Sequence, residues 1–276
     1  MPTPAEEQKS ALLAEITNLV QGRLITAERS FAKLFVDSFL GEIDAEDFVA
    51  RDAKTWSEIA VNHLKFGGEF QSGAPKMRLF TPTVAEHGHN IGNTVIEFIN
   101  DDMPFLVDSI MMELSRQSVE TRLVIHPLFD AERDNHGALT MLNDAVGGRK
   151  LESWIHVEVE RISDHARVKA LGDGLVAVLA DVRAAVADWP QMKSKVGEIL
   201  ADMGGAAKSV PLTELDEARA FLSWVGDNHF TFLGYRDYEL DEVNGQDVLK
   251  IIANSGLGIL REPKIGGVSA SFHELP

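Results

Sequence analysis

Cysteine is absent from all 276 residues. That excludes a disulfide framework, a thiolate metal site and a cysteine nucleophile. Positive charge is scarce: 26 Lys and Arg stand against 43 Asp and Glu, a net charge of −17. A polyphosphate is bound by clustered cations that displace its counterions, so the balance argues against nucleic acid as a partner. The N-terminus, Met1-Pro2-Thr3-Pro4-Ala5-Glu6-Glu7, has neither the basic segment nor the apolar core of a secretory signal. No later apolar run is long enough to cross a bilayer. The expectation is a soluble cytoplasmic protein without a membrane partner. A dinucleotide fingerprint, a glycine-rich turn from strand into helix, is missing too. Its nearest approach, Ser255-Gly256-Leu257-Gly258, runs into Ile259-Leu260-Arg261-Glu262-Pro263, where proline prevents a long helix. It reads as a turn.

What is present is organised around residues 94–117. Thr94-Val95-Ile96-Glu97-Phe98-Ile99 is β-branched and aromatic, apolar on both faces apart from Glu97, and predicts a central strand ending at Asn100. Asp101 or Asp102 is placed to cap the following helix, and Pro104 suits its first turn. Leu106, Ile110 and Leu114, flanked by Val107 and Met111, make one helical stripe. Asp101, Asp102 and Asp108 also suit an acid-base or magnesium cluster, but caps and solvated charge at a helix N-terminus explain the first two.

Before this centre, the spacing predicts helices with Ala11, Leu12, Ile16, Leu19 and Val20 inside, then Phe31, Leu34, Phe35 and Phe39, then one helix from Asp44 to Gly67-Gly68 carrying Phe48, Trp56, Ile59, Ala60 and Leu64. The aromatic stripe reads as core. Residues 67–93 read as a connector with one strand at Met77–Phe80. Within it His87-Gly88-His89 lacks a third ligand for a metal and reads as a solvated loop. After the centre, Arg122–His126 predicts a strand, Asp134-Asn135-His136-Gly137 a tight turn leading to Ala138–Leu142, and Gly147-Gly148-Arg149-Lys150 a break. Ile155, Val157 and Val159 should then face a core, with Trp154, His156, Glu158 and Glu160 on a partly wet face. His126 and His156 read as sheet histidines, with no nucleophile beside either. A helix from Asp164 should stop at Trp189-Pro190. A second should cover 190–203 until Gly204-Gly205, and a third should start at the capping-box-like Thr213–Asp216 and end near Asp227. Asn228 to Leu240 and Val248–Ile252 should pair through Asn244-Gly245.

Strand, helix, hairpin, strand and helix form the βαββα beginning of a ferredoxin-like sandwich. The expected class is α+β: an N-terminal helical segment at 1–70, the sandwich at 71–190, a helical connector at 191–227, and the start of a second α/β module at 228–276.

The stretch Asn100-Asp101-Asp102-Met103-Pro104-Phe105-Leu106-Val107-Asp108-Ser109, followed by Met112-Glu113-Leu114, resembles the N-terminal region of the large bacterial NAD-dependent glutamate dehydrogenases. Leu123-Val124-Ile125-His126-Pro127, Glu152–Glu158, Asn228–Arg236 and Ser255–Arg261 agree in order, so the likeness covers roughly 20–262. The resemblance implies ACT-type domains in both α/β modules and an N-terminal piece of a longer polypeptide. Its catalytic part, with the NAD site and the glycine-flanked lysine, would lie C-terminal to these residues. No catalytic, cofactor or metal residue is assigned here.

The implied partners are that catalytic part of the same polypeptide, further copies in a homo-oligomer, and an amino-acid effector. Asp102-Met103-Pro104-Phe105-Leu106 resembles the ACT turn, departing from it where Phe105 replaces glycine. The effector would meet Asn100, Asp101, Asp102, Phe105 and Leu106, its carboxylate on free helix N–H groups and its ammonium on the aspartates. A second reading is a purely structural assembly module.

Overall fold

The computed structural model describes residues 3–26, 28–145, 150–206, 211–243, 246–261 and 268–269. They fall into two compact units, Met1–Val176 and Ala177–Pro276.

The first unit opens with α1 (Pro4–Arg23), started by a capping box in which Thr3 and Glu6 satisfy each other's backbone N–H groups. Next come α2 (Ala32–Leu40), α3 (Ala45–Val49) and α4 (Ala53–Gly67). The single helix expected from Asp44 is therefore two. Asp44 caps α3, and Asp52 caps α4 by accepting from the Thr55 amide and hydroxyl at 2.8 and 2.9 Å. Two acidic caps eight residues apart divide a stripe that apolar spacing alone joins.

Strand β1 (Lys76–Phe80) and the short α5 (Val84–His87) lead to β2 (Thr94–Asp101). After α6 (Leu106–Arg116) come β3 (Thr121–Ile125), β4 (Leu128–Arg133), β5 (Leu139–Asp144) and β6 (Glu152–Val159). The order is β1-β2-β6-β4-β5, with β3 on the same edge of β6 as β4 and every pairing antiparallel. Pro127 separates β3 from β4. The hairpin therefore joins β4 to β5, where Asp134 Oδ1 accepts from the amides of His136 and Ala138 and Gly137 takes a positive φ of 85°. Gly147–Arg149 lies outside the described residues.

Every residue of β2 and β6 is buried, so the centre of the sheet is covered on both faces. The expectation of a wet face through Trp154, His156 and Glu158 is corrected: all three are buried. Ile99 and Trp154 share one hydrophobic core with Phe35, Phe39, Phe48 and Trp56 of the N-terminal helices. Ile96, Phe98, Ile155 and Val157, of the opposite parity, are also buried, as are Leu106, Ile110, Leu114 and Leu175. His89, expected in solvent, is buried as well.

Helix α7 (His165–Ala206) begins with the Asp164 carboxylate accepting from the Ala166 amide and runs through Pro190. The expected breaks at Trp189-Pro190 and Gly204-Gly205 do not occur. Proline removes one amide from the ladder, which a helix of this length tolerates.

In the second unit α8 (Leu212–Trp224) starts after Pro211 without a side-chain cap, so the expected capping box is not formed. A wide turn follows, with Asn228 at φ 60°. The strand expected from Asn228 becomes β7 (Gly234–Tyr235) and β8 (Tyr238–Val243). β8 pairs with β9 (Gln246–Ile251), and β10 (Leu257–Gly258) pairs with β7. β11 (Val268–Ser269) pairs with β9. The expected Asn244-Gly245 turn lies outside the described residues. Gly258 donates its amide to Asp188 Oδ2 at 2.7 Å, and Arg261 grips the same carboxylate, which pins the 255–261 turn to α7.

Gly67 ends α4 against Trp154: a Cβ there would lie 2.0 Å from the indole. Because the indole is fully buried and cannot retreat, Gly67→Ala is expected to cost about 1–3 kcal/mol by chemical denaturation.

Candidate functional site

The turn between β2 and α6 is rearranged from what its residues suggested. Asp101 remains in β2, buried, with its carboxylate taking the Gly73 amide at 2.9 Å and lying 3.2 Å from Lys150 Nζ. Asn100 is buried and donates from Nδ2 to the Asp101 carbonyl. Asp102 is exposed, and its Oδ1 accepts from Ser153 Oγ at 2.7 Å. Neither aspartate caps α6, which begins only at Leu106, has Phe105 at the N-cap and carries no side-chain cap. Pro104 accordingly sits in the turn rather than in the first helical turn.

Phe105 adopts φ 71° and ψ 5°, the left-handed conformation that a type II turn places after proline and ordinarily fills with glycine. A bulky side chain there is strained. The residue is 46% exposed, while Leu106 is buried.

Ser153 joins this turn to the start of β4. Its hydroxyl lies 3.1 Å from His126 Nε2. Loss of water around the His126 ring lowers its pKa, against the pull of Asp102. His126 occupies the link between β3 and β4 rather than a strand. The hydroxyl proton points to Asp102, so His126 is not set to withdraw it. The group is a polar cradle beside an exposed carboxylate, not a Ser-His-Asp relay. Ser153 was missed because a serine inside an alternating strand carries no signal of its own.

A second constellation lies on the covered sheet face. Glu97 on β2 meets His156 on β6, its register partner, with Nδ1 3.1 Å from Oε1. His63 on α4 brings Nδ1 to 3.1 Å from the same oxygen. Arg78 on β1 grips Oε2. Glu158, two residues beyond His156, is held in a fork by Arg51 at 2.7 and 3.0 Å and by Asn93 at 3.0 Å. Its Oε1 is 3.6 Å from His156 Nε2. His63, Glu97, His156 and Glu158 are all buried.

Burial opposes charge on the two carboxylates, yet the surrounding imidazoles and Arg51 outweigh it. Glu97 and Glu158 both titrate well below the ordinary range. Burial likewise opposes charge on His156, but Glu158 and Glu97 prevail and raise its pKa; for His63 burial wins and lowers it. The charges alternate from Arg51 through Glu158, His156 and Glu97 to Arg78. Neither nitrogen of His63 makes a hydrogen bond with any described residue, although one approaches Glu97 off the bonding line. His63, Glu97 and His156 are the group of described side chains able to hold a metal ion. Glu97 stood out in the sequence as the exception in a strand apolar on both faces, His156 and Glu158 were placed by alternation, and nothing local pointed at His63.

Comparison with known proteins places this architecture. Residues 35–175 match the family of the glutamate dehydrogenase ACT1 domain, and the chain belongs to that family. It is 32% identical over 216 residues, 77% of its length, to the NAD-specific glutamate dehydrogenase of Pseudomonas aeruginosa, and covers 13% of that protein. With the NAD-specific glutamate dehydrogenase of Halomonas elongata the identity is 30% over 262 residues, 93% of this chain and 16% of the relative. The Mycobacterium tuberculosis protein of the same name is 23% identical over 247 residues, 83% of this chain and 14% of the relative. The likeness anticipated from the Asn100–Ser109 motif is borne out, and the chain spans less than a fifth of these relatives' length.

Because Phe105 bears backbone strain, Phe105→Gly should raise stability by about 0.5–1 kcal/mol, strain relief exceeding the added chain entropy. Phe105→Val, β-branched in the same conformation, should lower it by about 1 kcal/mol or more. Paired denaturation curves measure both.

Proposed function

We propose that this chain is the regulatory and assembly segment of an NAD-dependent glutamate dehydrogenase that senses an amino acid at the turn after its central strand. The parent polypeptide would convert L-glutamate, NAD and water to 2-oxoglutarate, ammonia and NADH in its C-terminal part, in the cytoplasm and as a homo-oligomer. Within residues 71–190, β2, α6, β3, β6 and α7 follow the βαββα order of a ferredoxin-like sandwich. The position of the fourth strand, beside β2, is taken by β1 from the N-terminal side. That order, with the family match, supports reading this part as an ACT-type sensor and 228–276 as the start of a second module.

The observation that carries the sensing proposal is the exposed Asp102 carboxylate beside an uncapped helix N-terminus. An effector's ammonium pairs with Asp102, and its carboxylate takes the amides of the first turn of α6, where the helix dipole favours negative charge. Asp101 is engaged by Gly73 and Lys150 and serves the site by holding the strand end. The exposed Phe105 ring favours the second reading, an assembly module in which that ring packs on another surface.

Calorimetric titration and thermal melting with a panel of amino acids test the choice, on the native sequence and on Asp102→Ala. Sensing predicts heat and a melting rise for at least one amino acid, both lost in the variant. Saturation at a hundredfold Kd would stabilise the chain by about 2.7 kcal/mol. Silence from both proteins would overturn sensing and leave assembly.

A further inference from the structure

We propose that His63, Glu97 and His156 form a binding site for a divalent transition-metal ion, zinc(II) foremost, enclosed between the N-terminal helices and the sheet. The three donors come from α4, β2 and β6, elements far apart in sequence that the fold brings to one point. Their ligand atoms lie within 4.8 Å of one another. Both imidazole Nδ1 atoms stand 3.1 Å from Glu97 Oε1. Zinc bonds nitrogen and oxygen at about 2.0–2.1 Å in a tetrahedron, which sets neighbouring ligands about 3.3–3.4 Å apart. The two nitrogen–oxygen spacings reach that by a small outward movement, and the two nitrogens lie within 4.8 Å of each other.

Three further observations favour an ion. His63 is fully buried with neither nitrogen hydrogen-bonded among the described residues. A buried polar group in that state is destabilising, and a bond to a cation would relieve it. Behind His156, the Glu158 carboxylate faces Nε2 at 3.6 Å while Arg51 and Asn93 hold it in place. His156 Nε2 makes no hydrogen bond among the described residues, and a short approach of this carboxylate to its proton would fix the tautomer of a ligating imidazole and raise its basicity. Finally, Arg78 takes the other oxygen of Glu97, leaving Oε1 to face the two imidazoles.

Charge is the main opposing factor. Glu97 and Glu158 balance Arg78 and Arg51, so a dication enters a neutral setting once both imidazoles are deprotonated. Both guanidinium side chains reach water, at 31% and 22% exposure. Solvent therefore screens their repulsion, and an entering ion displaces any imidazole proton. Two nitrogens and one carboxylate suit zinc, cobalt, nickel and iron(II) better than magnesium or calcium. Phe39 stacks on His63 at 4.7 Å and meets His156 edge-on at 5.8 Å. These walls suit an ion that fastens the helices to the sheet rather than one that meets a substrate.

The test is made on the whole chain after stripping with a chelator and dialysis. Zinc chloride should bind at one equivalent and raise the melting temperature. Cobalt(II) should give the intense visible absorption of a tetrahedral site, and zinc-edge X-ray absorption should report two imidazoles and one carboxylate at bonding distance. His63→Gln should abolish the cobalt spectrum, while His87→Gln leaves it intact. Glu158→Gln should weaken zinc by about 10–100-fold without changing stoichiometry. Failure of the stripped native chain to bind one equivalent would overturn the proposal, leaving a network occupied by protons alone. So would an absorption spectrum without two imidazoles, a result that does not depend on any variant folding.

Discussion

Two carboxylates on a sheet face that is closed to water constrain the rest of the first unit. Glu97 and Glu158 lie on adjacent strands, on the side covered by α1 to α4. An unpaired buried charge costs several kcal/mol, so the covering helices must deliver opposite charge at fixed points. Arg51 does so from the break between α3 and α4, and Asp44 and Asp52 cap the helices on either side of it. Continuous helix there would hold Arg51 on a regular helical surface. Arg78 answers Glu97 from β1, and Arg133 answers Glu152 in a second fork while also donating to the carbonyls of Gly67 and Gly137. Apolar packing makes the layers adhere, and the ion pairs hold the helices to the sheet at these fixed points.

Much of the fold was legible where a local rule and the tertiary outcome agree. β2 reads as central because it is apolar on both faces, and it is buried throughout. The Leu106, Ile110 and Leu114 stripe and the Asp134–Gly137 turn follow from spacing and turn chemistry. The illegible parts depend on distant partners. Trp154, His156 and Glu158 alternate with apolar residues just as a wetted face would. They are buried because Arg51 and His63, about a hundred residues earlier, meet them. The proline of α7 invited a break that a long helix absorbs.

At the candidate site the stretch was legible, but its geometry was not. Asp101 and Asp102 both look like caps, yet β2 continues through Asp101 and the chain makes a proline turn before α6. Asp101 is thereby drawn to Gly73 and Lys150, and only Asp102 faces solvent. Phe105 occupies a conformation suited to glycine, which links the local departure from the ACT pattern to a measurable strain. The sheet pairing that carries the buried network also places Ser153 beneath Asp102. The turn and the covered face therefore share β6 as their common support.

Paired buried charge fixes the helices to the sheet. A double-mutant cycle on Arg51→Met and Glu158→Gln, read by chemical denaturation, tests it most directly. Each single change should cost about 3–5 kcal/mol, because it strands the other partner. The double variant should recover about 1.5–3 kcal/mol of the summed loss. Single changes within about 0.5 kcal/mol of the native chain, the range of ordinary surface substitutions, would contradict it.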